Sequence, residues 1–166
     1  MDLAALNRAP RDAAVLALLA CCASAEWAAA MADRRPFADI EALLTAASDE
    51  WWIRAEDDWL EAFAAHPRIG EQRSGTDRHS TWSRAEQSGV AEADAATREA
   101  LVECNRDYEA RFGYEFLIYA TGMSAADMVA SCRTRLEHDP DEEFLNAAGE
   151  QEKITLLRLR KLLEID

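Results

Sequence analysis

The sequence predicts an all-α fold, a single-domain bundle of about seven to nine helices spanning residues 1–166. Alanine is abundant, whereas glycine and proline number only 6 and 4, so helix formers dominate and helix breakers are scarce. Apolar residues recur at three- and four-residue spacing almost everywhere. No strand pattern competes with that periodicity.

The elements follow in chain order. Residues 11–32 (RDAAVLALLACCASAEWAAAMA) carry one or two helices, 37–48 another and 55–65 a third. The third is closed by Pro67, because proline disfavours the α region for the residue before it. The stretch 71–81 (EQRSGTDRHST) is rich in turn formers and charge and reads as a surface loop. Ser83-Arg84-Ala85-Glu86 has the form of a capping box that opens a short helix. A long helix over 92–111 carries Ala96, Ala100, Leu101 and Cys104 on one face. The stretch 112–121 (FGYEFLIYAT) clusters aromatic and β-branched residues, but a lone strand would have no partner, so it reads as a buried helix end capped by Gly122. Ser124 opens the next helix, 125–137, and the Asp139-Pro140-Asp141 turn leads into the last and longest, 140–164.

A chain of 166 residues with 49% hydrophobic content suffices for one domain with a substantial core. Its 32 acidic and 18 basic residues give a net charge of −14. Such a field repels nucleic-acid backbones and anionic membrane surfaces, so neither is expected as a partner. Cys21, Cys22, Cys104 and Cys132 show no CxxC spacing, and no secretory signal opens the chain. A cytoplasmic protein with reduced thiols is expected.

A few polar residues stand out against this background. His66 falls where the third helix must stop, and a helix C-terminus favours an imidazolium; the structural alternative is a plain dipole partner. Glu86 and Gln87 follow Trp82 and Ser83 on one helical turn, a polar cluster beside an aromatic wall, although a cap and a solvated amide explain them as well. Arg158 projects from an apolar seam formed by Phe144, Ala147, Gln151, Ile154, Leu162 and Ile165. A guanidinium there either snorkels, pairs with a carboxylate, or grips an anionic ligand bidentately. His79, with His66, Glu71 and Asp77, matches no compact zinc spacing, so no metal is expected. Tryptophans 27, 51, 52, 59 and 82 read as packing residues rather than a base-stacking platform.

Taken in order, DWLEAFAAHPRIG, WSRAEQSGV, NRDYEARFGYEFLIYATGMS, RLEHDPDEE and KITLLRLRKLL resemble the OHCU decarboxylases (2-oxo-4-hydroxy-4-carboxy-5-ureidoimidazoline decarboxylases) of uric acid degradation. The likeness runs over nearly the whole chain and extends to CCASAEWAAAMADRRPF near its start. It implies an all-helical fold, a catalytic histidine at His66, a catalytic glutamate at Glu86 and a functional arginine at Arg158. It also implies a substrate pocket lined by Pro67, Ser83, Gln87 and the segment Ile118, Tyr119, Ala120 and Thr121, the last largely through backbone groups.

The implied substrate, OHCU, bears its carboxylate on a carbon that also carries a hydroxyl and adjoins a ring C=N bond. That bond accepts the electron pair when carbon dioxide leaves, so no cofactor is expected. In this reading Arg158 anchors and polarises the substrate, Glu86 holds its hydroxyl or ureido side, and His66 is the general acid/base, with (S)-allantoin as the product. Members of the family are commonly dimeric, so a homodimer is a further expectation with no interface motif behind it.

Two departures stand beside the resemblance. Tyr119-Ala120-Thr121-Gly122-Met123 replaces a Cys-Ala-Arg-Gly-Lys type of sequence found in many members, so two basic side chains are missing. The ending Glu164-Ile165-Asp166 is not the peroxisomal tripeptide of many eukaryotic members. The competing functions are a hydrolase or isomerase of a related ureido or imidazoline anion, and a non-catalytic helical module using Leu156, Leu159 and Leu163 as a partner seam.

Overall fold

The computed structural model describes residues 1–70, 81–82 and 85–164. Eight α-helices carry the described chain: α1 (Leu3–Arg8), α2 (Arg11–Leu19), α3 (Ala25–Asp33), α4 (Ile40–Trp52), α5 (Glu56–Ala64), α6 (Ala95–Phe112), α7 (Ala125–Arg135) and α8 (Pro140–Leu162). No strand occurs among the described residues, as the helical periodicity predicts.

Local chemistry explains most boundaries. Asp2, Ser24, Asp39, Asp94 and Ser124 each place a side-chain oxygen on a backbone N–H of the first turn, starting α1, α3, α4, α6 and α7. The expected 11–32 region resolves into α2 and α3, separated at Cys21–Ser24. Helix α1 lies ahead of the first predicted element, and α4 starts later and ends later than 37–48. The seam of α6 also differs at one end: Ala96 is exposed, and the buried stripe is Leu101, Cys104, Asn105 and Tyr108. The loop expected at 71–80 lies outside the described residues, as do Ser83 and Arg84 of the capping box.

The stretch 112–121 corrects the sequence reading. Helix α6 ends at Phe112 on Gly113, whose φ of 83° is left-handed and whose N–H donates to Glu109 O. Residues 114–120 are neither helix nor strand, although Tyr114, Phe116, Leu117, Ile118 and Ala120 are buried. Gly122 (φ 80°) therefore sits in a turn and caps no helix. Two backbone groups of this segment, Leu117 O and Tyr119 N–H, are taken by the side chains of Arg135 and Glu150 rather than by helical partners.

The chain packs as two compact units, residues 1–62 with 152–166, and residues 63–151. In the first, α2 packs on α3 and α3 on α4. Its core holds Leu6, Leu18, Trp27, Met31, Leu43 and Trp51. The tryptophans satisfy their polar ends: Trp27 Nε1 donates to Ala47 O at 3.0 Å and Trp59 Nε1 to Trp51 O at 2.9 Å. Arg35 ties the ends of α1 and α3, donating to Leu6 O, Ala9 O and Ala32 O. In the second unit α6 packs on α7, with Phe63, Tyr108, Met128 and Ala147 in its core. Helix α8 supplies Pro140–Gln151 to the second unit and its remainder to the first. All four cysteines are buried thiols.

Candidate active site

Three of the predicted segments meet within the second unit. Helix α5 stops at Ala64, and the His66 N–H donates to Phe63 O at 3.0 Å to close its last turn. Pro67 then prevents continuation, since it offers no N–H and restricts His66. The half-buried imidazole lies with Nε2 2.8 Å from Gln151 Oε1 on α8. A carboxamide oxygen only accepts, so Nε2 is the donor.

The four residues after His66 are fastened to α6 and to the Gln87 segment. Arg68 grips Glu109 through two nitrogens, with Nη2 to Oε2 at 2.9 Å. Ile69 is buried, and its carbonyl accepts from Asn105 Nδ2 at 2.8 Å. Gly70, with φ 90°, turns its N–H onto Gln87 Oε1 at 3.0 Å. Gln87 is thereby engaged with the histidine loop rather than solvated.

Glu86 is only 7% exposed, a costly position for a carboxylate. Residues 88–90 form a 3-10 turn directly after it. Gly89 is required there: a Cβ at that position would lie 2.1 Å from Met123 O. The backbone carrying Glu86 and Gln87 therefore runs hard against the turn that follows Thr121. A depression of about 530 Å³ opens beside this contact, lined by Ser88, Gly89, Thr97, Met123 and Ser124, and among the described residues none of the predicted site side chains lines it.

The segment Ile118–Thr121 grades from buried to exposed: Ile118 and Ala120 are buried, Tyr119 is intermediate and Thr121 is exposed. Tyr119 N–H donates to Glu150 Oε2 at 2.6 Å, so that backbone donor is occupied. Consecutive residues of α8, Glu150 and Gln151, thus hold Tyr119 and His66 respectively. Just upstream, Leu117 O accepts from Arg135 Nη1 at 2.6 Å. Arg135 Nε also meets Glu143 Oε1 at 2.7 Å, and Glu143 receives the Tyr108 hydroxyl and approaches His138 Nδ1 at 2.8 Å.

Charge is well compensated in this cluster. Burial alone would raise the Glu143 carboxyl, but the donors Arg135, Tyr108 and Asn146 outweigh it and hold it below the ordinary carboxylate range. Burial first, then the Glu143 carboxylate, push the Tyr108 phenol far up against the opposing charge of Arg135.

Arg158 belongs to the first unit and is fully buried. The seam that predicted its placement holds, with Ala147, Gln151, Ile154 and Leu162 buried and Phe144 half-buried; Ile165 lies outside the described residues. Burial pushes the neighbouring Cys22 thiol up to about 11, with the Arg158 charge opposing that rise. Pro67 is half-buried beside His66. Ser83, Glu71, Asp77 and His79 lie outside the described residues, among which no group of three or more metal-ligating side chains occurs.

A family model for OHCU decarboxylases matches residues 7–160. The chain belongs to the OHCU decarboxylase family. A crystal structure of an OHCU decarboxylase in the presence of (S)-allantoin superposes with a TM-score of 0.79 at 32% identity, covering 94% of this chain and 99% of that one. The 2-oxo-4-hydroxy-4-carboxy-5-ureidoimidazoline decarboxylase of Haloferax volcanii is 29% identical over 163 residues, 96% of this chain and 94% of its own length. The uric acid degradation bifunctional protein TTL of Arabidopsis thaliana is 40% identical over 147 residues, 86% of this chain; the match spans only 45% of that longer protein.

Several residues of this OHCU decarboxylase family member escaped the sequence reading. Gln151 and Glu150 were not singled out as site residues, although Gln151 is a polar side chain on the same apolar seam that drew notice to Arg158. Asn105 carried no signal beyond its place on α6. Arg135 and Glu143 stood in the RLEHDPDEE motif without an assigned role.

Proposed function

We propose that this chain decarboxylates OHCU to (S)-allantoin in urate degradation, with residues 1–166 acting as one functional domain. The observation that carries the reading is the ring of His66, held at Nε2 by a neutral buried amide at the end of a proline-terminated helix. Such a ring is oriented to serve as a general acid/base.

In this account Arg158 anchors and polarises the substrate, whose carboxylate it matches in charge. Glu86 holds the hydroxyl or ureido side. Loss of carbon dioxide breaks a C–C bond, and the electron pair moves into the adjacent ring C=N bond, which spares the enzyme a cofactor. His66 then delivers a proton to one face of the adjacent ring carbon that bears the ureido group, while the hydroxyl-bearing carbon becomes a carbonyl, and this fixes the product's stereochemistry. Pro67, Ser83, Gln87 and Ile118–Thr121 line the substrate. The Gly70–Gln87 bond and the neighbouring anchors of His66 and Tyr119 on α8 support this grouping.

A net charge of −14 supports the exclusion of nucleic acid and anionic membrane as partners. No helix among the described residues is long and apolar enough to cross a membrane. A cytoplasmic location and a homodimer complete the proposal. The helical-module alternative loses its seam, since Leu159 and Leu163 are buried in the chain's own core.

The test is stoichiometric carbon dioxide release from freshly generated OHCU by the wild type, His66→Ala and Glu86→Gln. Turnover lost in both variants with the helical circular dichroism retained supports the reading. Ring opening without carbon dioxide would favour the hydrolase alternative.

A further inference from the structure

We propose that Gln151 is a positioning residue that fixes His66 as the Nε2–H tautomer and so assigns its proton exchange to Nδ1. The inference rests on the reading of His66 as the general acid/base. Its starting point is the 2.8 Å contact between His66 Nε2 and Gln151 Oε1.

Gln151 is fully buried on a seam whose neighbours, Ala147 and Ile154, are apolar. A leucine would fill that position without the cost of desolvating an amide, so packing alone does not explain the glutamine. A carboxylate there would explain hydrogen bonding equally well but would hold the ring in its cationic form. A neutral amide orients the imidazole without settling its charge, which is what a group that must both take and give a proton needs. The preceding residue supplies the contrast. Glu150 is a carboxylate, and it is placed on a backbone N–H, that of Tyr119 at 2.6 Å, whereas the residue that meets the ring is the amide.

The chemical consequence is specific. With Nε2 donating to Gln151, the proton that enters when the ring charges is the one on Nδ1. Delivery of that proton to the ureido-bearing carbon next to the one vacated by carbon dioxide returns the ring to its neutral Nε2–H form, and solvent recharges it for the next turnover.

Long-range proton–nitrogen NMR on the full chain tests this, because only 3 histidines must be assigned and His66→Ala identifies the relevant one. The expected wild-type spectrum at high pH is the Nε2–H tautomer. Gln151→Leu should lose that preference. Gln151→Glu should raise the His66 titration midpoint by about 1–3 units, and the acidic limb of the kcat/KM profile should move with it. An Nδ1–H tautomer in the wild type overturns the inference by itself, even if neither variant folds. An unmoved midpoint in a folded Gln151→Glu also overturns it and leaves the decarboxylase reading intact. Full turnover by His66→Ala, with the tautomer as expected, removes the catalytic reading and with it any catalytic role for Gln151.

Discussion

Arg135 donates to Leu117 O at 2.6 Å while its Nε holds Glu143 Oε1 at 2.7 Å. A single buried guanidinium thus joins α7, the start of α8 and the non-helical segment that leads to Ile118–Thr121. Both partners are almost fully buried, with side-chain exposures of 6% and 0%. Replacing Arg135 by methionine keeps most of the volume but strips a buried carboxylate of its guanidinium partner. A loss of about 3–5 kcal/mol is expected, read as a lower urea midpoint. An unchanged midpoint would mean that the segment is held by its aromatic packing alone.

Gly89 makes a second, sharper case. Its missing Cβ would meet a backbone oxygen at 2.1 Å, and a backbone atom cannot swing away as a side-chain tip can. Gly89→Ala should therefore cost about 1–3 kcal/mol and should lower OHCU turnover by displacing Glu86 and Gln87. Ser88→Ala, at an exposed neighbouring position, should be nearly silent in both assays.

The two anchors of the His66 loop on α6 should differ in weight. Arg68–Glu109 is exposed on the arginine side at 48%, so Arg68→Ala should cost no more than about 1 kcal/mol. Asn105 is buried, and Asn105→Leu leaves the Ile69 carbonyl without this donor, at about 1–3 kcal/mol. Thermal melts of the two variants compare them directly. Equal losses would contradict the burial argument.

Stability should fall at both ends of the pH scale. Glu143 has a folded-state pKa below its unfolded value, so its contribution is present above the ordinary carboxylate pKa of 4.5 and is lost as pH falls through the lower folded value. Cys22 and Tyr108 shift the other way. Their neutral forms are favoured by burial, so stability drops as pH climbs past the ordinary thiol and phenol values of 9.0 and 10.0, where the unfolded chain ionises first. Denaturant titrations from pH 3 to 11 check both limbs, and Glu143→Gln should flatten the acidic one.

How far the sequence reached depends on which interactions are local. Helix caps such as Asp39, Asp94 and Ser124 are written within four residues, and the seam of α8 carries its own period, so the all-α class and Arg158's place on the apolar stripe were legible, whereas its full burial was one of several readings left open. The stretch after Phe112 was not. Its backbone is bonded by Arg135 and Glu150, which lie far along the chain, and neither propensity nor periodicity registers a distant partner. Gln151 illustrates the same limit within the site. Its place on an apolar seam was visible, but its partner His66 is 85 residues away.

The most direct measurement follows circular dichroism as the protein is added to OHCU freshly generated from urate, beside a His66→Ala control. A rapid rise of the (S)-allantoin signal with the wild type, absent with the variant, is the predicted result. A decay no faster than the spontaneous racemic one, or an undiminished rise with His66→Ala, would contradict the account.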